Sequence, residues 1–321
     1  KAESPGPSVS KLVPRVRTTA MILYALYMAL TVIEFIFLLC GRMSVFDALN
    51  TAFSTAGTGG FGVRNDGMAG YSNYLQTVVT VFMLLFSINF GCYYLLLLRR
   101  VREAFNAEVR VFLLIVAAAV AVITVDLRLN GVINSVTGES FTLYGAIHHA
   151  AFTVSSLIST TGYATADFDL WPALSKTVLV GVMFLGACAG STGGGIKVSR
   201  ILILCKSIRR EIEGLVHPHR VRRITMDRRV VDTDVIRSTN VYFVAYVLLF
   251  AVSVLLISFD DFDLVTNFTA VTASLNNVGP GLSLVGPTRN FALFSTASKV
   301  VLIFDMLAGR LELFPMLALL V

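Results

Sequence analysis

Long apolar runs, each closed by Lys, Arg, Gly or Asp, set the pattern of this chain. A bilayer core of about 30 Å takes about 20 apolar residues as helix. Stretches of that kind cover residues 19–41, 75–98, 111–125, 177–196, 239–258 and 291–321. They predict six spans, the third short unless Arg110 and Asp126 snorkel to the two interfaces. Between the first and second, the third and fourth, and the fifth and sixth lie segments 45–61, 143–163 and 264–281, too apolar for open loops and too short or Gly-rich to cross. Each is a helix-sized run that stops at a glycine turn. The order of span, half-helix, turn and span occurs three times, with 102 residues from Gly60 to Gly162 and 117 from Gly162 to Gly279. The expected fold is all-α and membrane-integral, an internal repeat of helix, half-helix and helix.

Composition agrees: 55% of the 321 residues are hydrophobic, 14% are charged and the mean hydropathy is +0.76, too little charge to cover a water-soluble surface. The excess of 26 bases over 20 acids would suit a nucleic-acid partner if it were clustered on a soluble face, but the bases lie between apolar runs. Residues 1–18, 99–110 and 197–237 hold 19 Lys and Arg, whereas 42–74, 126–174 and 259–290 hold only Arg42, Arg64, Arg128 and Arg289. Cytoplasmic loops collect Lys and Arg, so both ends of the chain are expected inside and the half-helices are expected to enter from outside. The outer segments carry Asp47, Asp66, Asp126, Glu139, Asp167, Asp169, Asp260, Asp261 and Asp263, either ordinary loop charges or a field that concentrates cations at a mouth. Cys40, Cys92, Cys188 and Cys205 have no metal spacing and read as apolar filler. Segment 1–18 lacks the apolar core of a leader, and the chain starts without Met and ends inside an apolar run, so a piece of a longer protein is expected.

Aligned on one glycine, the turns read Thr58-Gly59-Gly60-Phe61, Thr160-Thr161-Gly162-Tyr163 and Asn277-Val278-Gly279-Pro280. Irregular backbone at membrane depth survives only against protein or water, since unpaired peptide groups in lipid cost several kcal/mol each. Carbonyls aimed at a dehydrated cation meet that demand, with glycine allowing the left-handed conformation that turns them to one axis. The negative end of a preceding half-helix also favours a cation there. Segment 190–197, GSTGGGIK, looks like a phosphate loop, but Ile196 separates its last glycine from Lys197 and Val198 follows, so a nucleotide site is set aside. From the residues alone it is either a helix ending in glycines at the inner interface or a break within the span. Arg310 lies inside the last apolar run and must snorkel, pair with Glu312 or Asp305, or face protein or water. Glu34, Lys299 and Asp305 are assigned ion pairing only. His148 and His149, at the start of a half-helix, read as interfacial. No paired Asp, Ser/His or HExxH set faces across the spans, so no enzyme chemistry and no bound cofactor are expected.

The segments TAGTGGFGVRND (55–66), STTGYATADFDLWP (159–172), GACAGSTGGGIK (186–197), ASLNNVGPG (273–281) and MLAGRLELFP (306–315) carry a resemblance that runs across nearly the whole chain. By these it resembles the Trk/Ktr/HKT superfamily of potassium uptake proteins, most closely bacterial TrkH-type subunits. The resemblance implies four membrane–pore–membrane repeats around a pseudo-fourfold pore; three are present, and the first is expected to be the missing one. It implies a selectivity filter at Thr58, Gly59, Gly60, Thr160, Thr161, Gly162, Asn277, Val278 and Gly279, with K+ as transported ion. Asn277 and Pro280 depart from the Thr and aromatic of the other turns. It also implies a gate made of Gly193, Gly194, Gly195 and Arg310. The expected organisation is a cytoplasmic segment 1–18, a repeat 19–98 with its turn near 58–61, a linker 99–110, a repeat 111–199 with its turn near 160–163 and the Gly-rich loop, a basic loop 200–237, and a repeat 238–321 with its turn near 277–281. The stretch 206–229, with His217, His219 and eight bases, either fixes orientation or docks the cytosolic TrkA-type nucleotide-binding ring that the family uses. A homodimer in the bacterial inner membrane is implied, with a sodium-permeable relative or a non-conducting structural subunit as the alternatives.

Overall fold

The computed structural model describes residues 16–133, 140–217, 223–227, 229–311, 313 and 316. Along the chain run α1 (Val16–Cys40), α2 (Val45–Ala56), α3 (Asn73–Ser87), α4 (Phe90–Leu97), α5 (Val101–Ala104), α6 (Ala107–Leu129), α7 (Leu143–Ile158), α8 (Ala173–Leu185), α9 (Val198–Val216), the two-stranded hairpin β1 (Thr225–Met226) and β2 (Arg229–Val230), α10 (Thr233–Ile257), α11 (Leu264–Leu275) and α12 (Thr296–Arg310). In the hairpin, Thr225 pairs with Val230 and Met226 with Arg229, antiparallel.

The repeat seen in the sequence is a repeat in space. Each half-helix starts on a side-chain cap: Ser44, Thr142 and Asp263 accept the N–H three residues on, from Asp47, Gly145 and Thr266, each at 3.1 Å. The helix after each turn is capped in a matching way, by Ser72 for α3 and Ser295 for α12. At the third such place stands Pro172, which has no capping side chain. Asp126 supplies the cap from α6 instead, accepting from Ser175 N at 3.0 Å and Ser175 Oγ at 2.6 Å. Each repeat keeps its own apolar cluster, such as Leu38, Ala52 and Val79 in the first, Ile123, Val154 and Leu179 in the second, and Ile257, Val271 and Leu302 in the third. On α10 the large apolar side chains Val244, Leu248, Val252 and Leu255 point outward, as lipid-facing residues do.

Several expectations need correction. Among the described residues, three helical segments are long and apolar enough to cross a bilayer, Arg17–Cys40, Ala107–Leu129 and Thr233–Asp260, with α3 and α4 as a fourth only if counted together. That pair, expected as one span over 75–98, bends by 91° because Ile88 and Asn89 leave helical geometry and Asn89 caps α4. The third span is not short: α6 has 23 residues, and Asp126 does not snorkel but is buried as the cap of α8. The fourth, expected over 177–196, stops at Leu185; its remaining residues form an irregular loop. The sixth starts at Thr296 rather than 291. Cys92 and Cys188 are buried, while Cys40 and Cys205 are exposed.

Candidate functional site

The half-helices end at Ala56, Ile158 and Leu275, and the three turns follow with one backbone plan. Thr58, Thr160 and Asn277 have φ of 51°, 61° and 57°, and Gly60, Gly162 and Gly279 have φ of 69°, 85° and 100°. The residue between each pair stays at negative φ. Thr58, Thr160 and Asn277 donate their N–H groups to carbonyls three residues back, and Gly59, Thr161 and Val278 donate to carbonyls five residues back, on Ser54, Ser156 and Ala273. Donors are thus folded back onto the half-helix, and among the described residues no hydrogen bond is donated to the carbonyl oxygens of residues 58–60, 160–162 and 277–279. Alternating φ sign turns successive carbonyls to the same side, where a dehydrated cation can replace the missing donors.

The turns also meet one another in order. A Cβ on Gly60 would stand 1.9 Å from Thr161 O, and one on Gly162 would stand 2.2 Å from Val278 O. Each glycine is therefore required twice, by its positive φ and by the carbonyl of the next turn. Gly279 has no described atom against it within 4 Å, so the ring of turns is open on that side. Tyr163 braces the first and second turns by donating from its hydroxyl to Phe61 O at 3.1 Å, and Ser156 Oγ donates to Tyr163 O at 2.6 Å. Neither brace was singled out by sequence, where an aromatic after the glycine was only part of a frame.

Beneath the turns lies the loop 186–197. Thr58 Oγ1 donates to Thr192 O at 3.2 Å, Gly194 N donates to Thr160 Oγ1 at 2.7 Å, and a Cβ on Gly194 would stand 2.5 Å from Asn276 O. One short loop thus touches the first two turns and the residue that leads into the third. Gly193 N-terminal to it leaves no room either, with Ser159 O at 2.9 Å from a Cβ placed there, and Lys197 Nζ donates to Gly193 O. Gly195 takes φ of 78°, which brings the chain back against Gly186.

Arg310, the last residue of α12, donates to Thr192 O at 3.1 Å, Gly57 O at 3.2 Å and Thr58 Oγ1 at 3.4 Å. Its guanidinium holds the loop and the first turn together and sets a positive charge under both. The alternative of pairing with Asp305 is not made, because Asp305 instead accepts from Ser253 Oγ at 2.7 Å; Glu312 lies outside the described residues. Gly309 lets α12 come this close: a Cβ there would fall 1.9 Å from Leu275 O. Nor is an ion pair seen among the described residues for the other two buried or apolar-run charges. Lys299 Nζ donates to Ala292 O at 2.9 Å, and the Glu34 carboxyl is fully buried, with the Thr55 hydroxyl beside it.

Of the outer acids, most serve the fold. Asp47 accepts from Tyr71, Asp169 from Ser283 N, Asp167 from Thr288 and Asp260 from Ser295 N. The bonds from Asp167 and Asp169 tie the second repeat to the third. Asp263, outside the spans, is held below its ordinary value by the Thr266 hydroxyl and N–H. Glu139 lies outside the described residues, as do His219, Arg222 and Arg228 of the basic stretch. Within that stretch Lys206 Nζ donates to Thr225 O at 2.6 Å, and Arg209 and Arg210 pair with Glu213 and Glu211. His148 and His149 bond Gln76 and Thr165 at 2.7 and 2.9 Å. Among the described residues no group of three or more His, Cys, Asp or Glu could hold a metal ion.

Comparison with known proteins places this geometry. The family model TrkH, described as a cation transport protein, matches residues 3–321. The Trk system potassium uptake protein TrkH of Salmonella typhimurium is 36% identical over 99% of this chain and 65% of its own length. TrkG of Escherichia coli is 31% identical over 99% of this chain and 64% of its own. The crystal structure of the potassium transporter TrkH from Vibrio parahaemolyticus superposes with a TM-score of 0.85 at 33% identity, covering 98% of this chain and 66% of that one. The chain thus spans about two thirds of the length of these relatives, and by sequence and by fold it is a multi-pass membrane protein that belongs to the TrkH family of cation transport proteins.

Proposed function

We propose that this chain forms three of four repeats of a gated, cation-selective pore for potassium uptake across the bacterial inner membrane, and that it performs no enzyme chemistry. The observation that carries the reading is the shared backbone plan of the three turns, two positive φ values each, with Gly60 and Gly162 pressed against the carbonyl of the next turn. Thr58 to Gly60, Thr160 to Gly162 and Asn277 to Gly279 act as filter strands, and K+ is the transported ion, carried passively or with a coupling ion. A fourth strand between Gly279 and Gly59 completes the ring, a reading supported by the open side at Gly279. Gly193, Gly194, Gly195 and Arg310 form the gate, supported by the contacts of loop 186–197 with the first two turns and with Asn276 at the start of the third. The Lys and Arg asymmetry supports an orientation with both ends of this chain cytoplasmic. Family resemblance supports a homodimer with a cytosolic TrkA-type ring that binds nucleotide, the basic loop 200–237 facing it.

The test is rubidium-86 uptake into liposomes holding the full-length protein that carries this chain, with potassium, sodium and lithium as competitors. Competition by potassium and hardly by sodium is expected. Equal competition by sodium favours the sodium-permeable alternative, and no uptake with the cytosolic partner present leaves a structural subunit.

A further inference from the structure

A buried carboxylate at the cytoplasmic end of α6 has no part in the site described so far. Glu108, in the first turn of that helix, is 6% exposed, and its Oε1 accepts from Ala189 N at 2.7 Å and from Ser199 N at 3.2 Å. Ala189 lies near the start of loop 186–197, and Ser199 is the second residue of α9, just past its end. One oxygen therefore ties both ends of the loop to a third helix.

The loop needs such a tie. Gly186, Gly190, Gly195 and Lys197 all take positive φ, so the segment has no regular backbone of its own to hold it in place. Lys197, at the N-cap of α9, makes no capping side-chain bond, and Glu108 supplies the missing acceptor and the negative charge that a helix N-terminus favours. The Lys197 ammonium, which donates to Gly193 O, is within electrostatic range of the same carboxylate. The neighbouring residue is fixed from the cytoplasmic side: Asp227, at the tip of the hairpin, accepts from Ala107 N at 2.9 Å.

We propose that Glu108 is a positioning residue, the latch that keeps loop 186–197 seated under the three turns. This rests on the reading of the loop as a gate, and the test separates the two. The probe is Cys188, which lies in the loop next to Ala189, is fully buried and donates its N–H to Ser87 O. Maleimide labelling of the full-length protein, located by mass spectrometry, follows Cys188 together with exposed Cys40 and with Cys92, which is buried against Val109 beside the latch.

In Glu108→Ala, Cys188 labelling rises by about tenfold, as expected for loss of charge-assisted hydrogen bonds, while Cys40 and Cys92 keep the parent's rates. In the liposome assay, rubidium flux without the cytosolic partner rises with potassium-over-sodium competition unchanged. Should Glu108→Ala fail to insert, Glu108→Gln, which keeps an acceptor oxygen without charge, gives a smaller rise at Cys188 alone. Unchanged Cys188 labelling overturns the latch whatever the flux. A joint rise at Cys188 and Cys92 also overturns it, since Glu108 then holds the fold of the region rather than the loop. Faster Cys188 labelling in a protein that conducts no rubidium even as parent leaves the latch standing and removes the transport reading.

Discussion

A single glycine in each of the first two turns, Gly60 and Gly162, answers two demands at once. At Gly162 the φ of 85° disfavours any residue with a Cβ, and a Cβ would also stand 2.2 Å from Val278 O, so the neighbouring carbonyl has to move. Selectivity between potassium and sodium depends on where such carbonyls stand and how freely they shift. Gly162→Ser is therefore expected to lower the potassium preference by about tenfold, or ~1.4 kcal/mol. Relative permeability in reconstituted protein of normal abundance measures it, and an unchanged ratio removes the filter assignment of this turn.

At the scale of elements, the main event is the failure of α8 to continue as helix beyond Leu185. The chain then runs as a loop to Lys197, held partly by its own hydrogen bonds and partly by those to other elements: Thr58 and Thr160 in the turns, Phe86 of α3 and Glu108 of α6. Arg310 from α12 closes this set. A unit charge 4 Å from a passing cation costs about 4 kcal/mol at an effective dielectric of about 20, enough to limit conduction. Arg310→Ala, which removes the charge and the bonds to Thr192 and Gly57, is expected to raise rubidium flux by at least about tenfold on that scale. Arg310→Lys keeps the charge without the planar fork and should fall between the two. Lower or equal flux in Arg310→Ala of normal abundance counts against the barrier.

Across the whole molecule, the same capping chemistry sets the start of each half-helix and so the depth at which each turn sits. Asp263 caps α11, and hydrogen bonds from Thr266 hold its carboxyl below the ordinary 3.8. A carboxyl lowered in the folded state stabilises it above the unfolded value, and that contribution fades as pH falls through the lowered one. Asp263→Ala should cost ~1 kcal/mol, the usual worth of a helix cap. The resulting difference in Tm from the parent in detergent should be equal at pH 7 and pH 5 and shrink only below 3.8. A difference that disappears between pH 7 and pH 5 contradicts the assignment.

Much of this was legible in the sequence because lipid imposes one-dimensional rules: run length marks a crossing, Lys and Arg mark the inside, and glycine marks a turn that cannot be regular. These rules determined the three repeats and aligned Thr58, Thr160 and Asn277 residue by residue. Where each span bends is another matter, because a break at Asn89 or Gly186 becomes stable only when its freed backbone groups find partners elsewhere. Asp126 looked like an interfacial charge because its partner, the uncapped N-terminus of α8, is 49 residues away. Glu108 carried no signal beyond a helix-starting acid, since Ala189 and Ser199 approach it through backbone N–H groups that any sequence possesses. Hydropathy and glycine placement are local properties and could be read from the chain. Only the tertiary structure decided which buried charge meets which unpaired peptide group, because that pairing depends on distances between elements far apart in sequence.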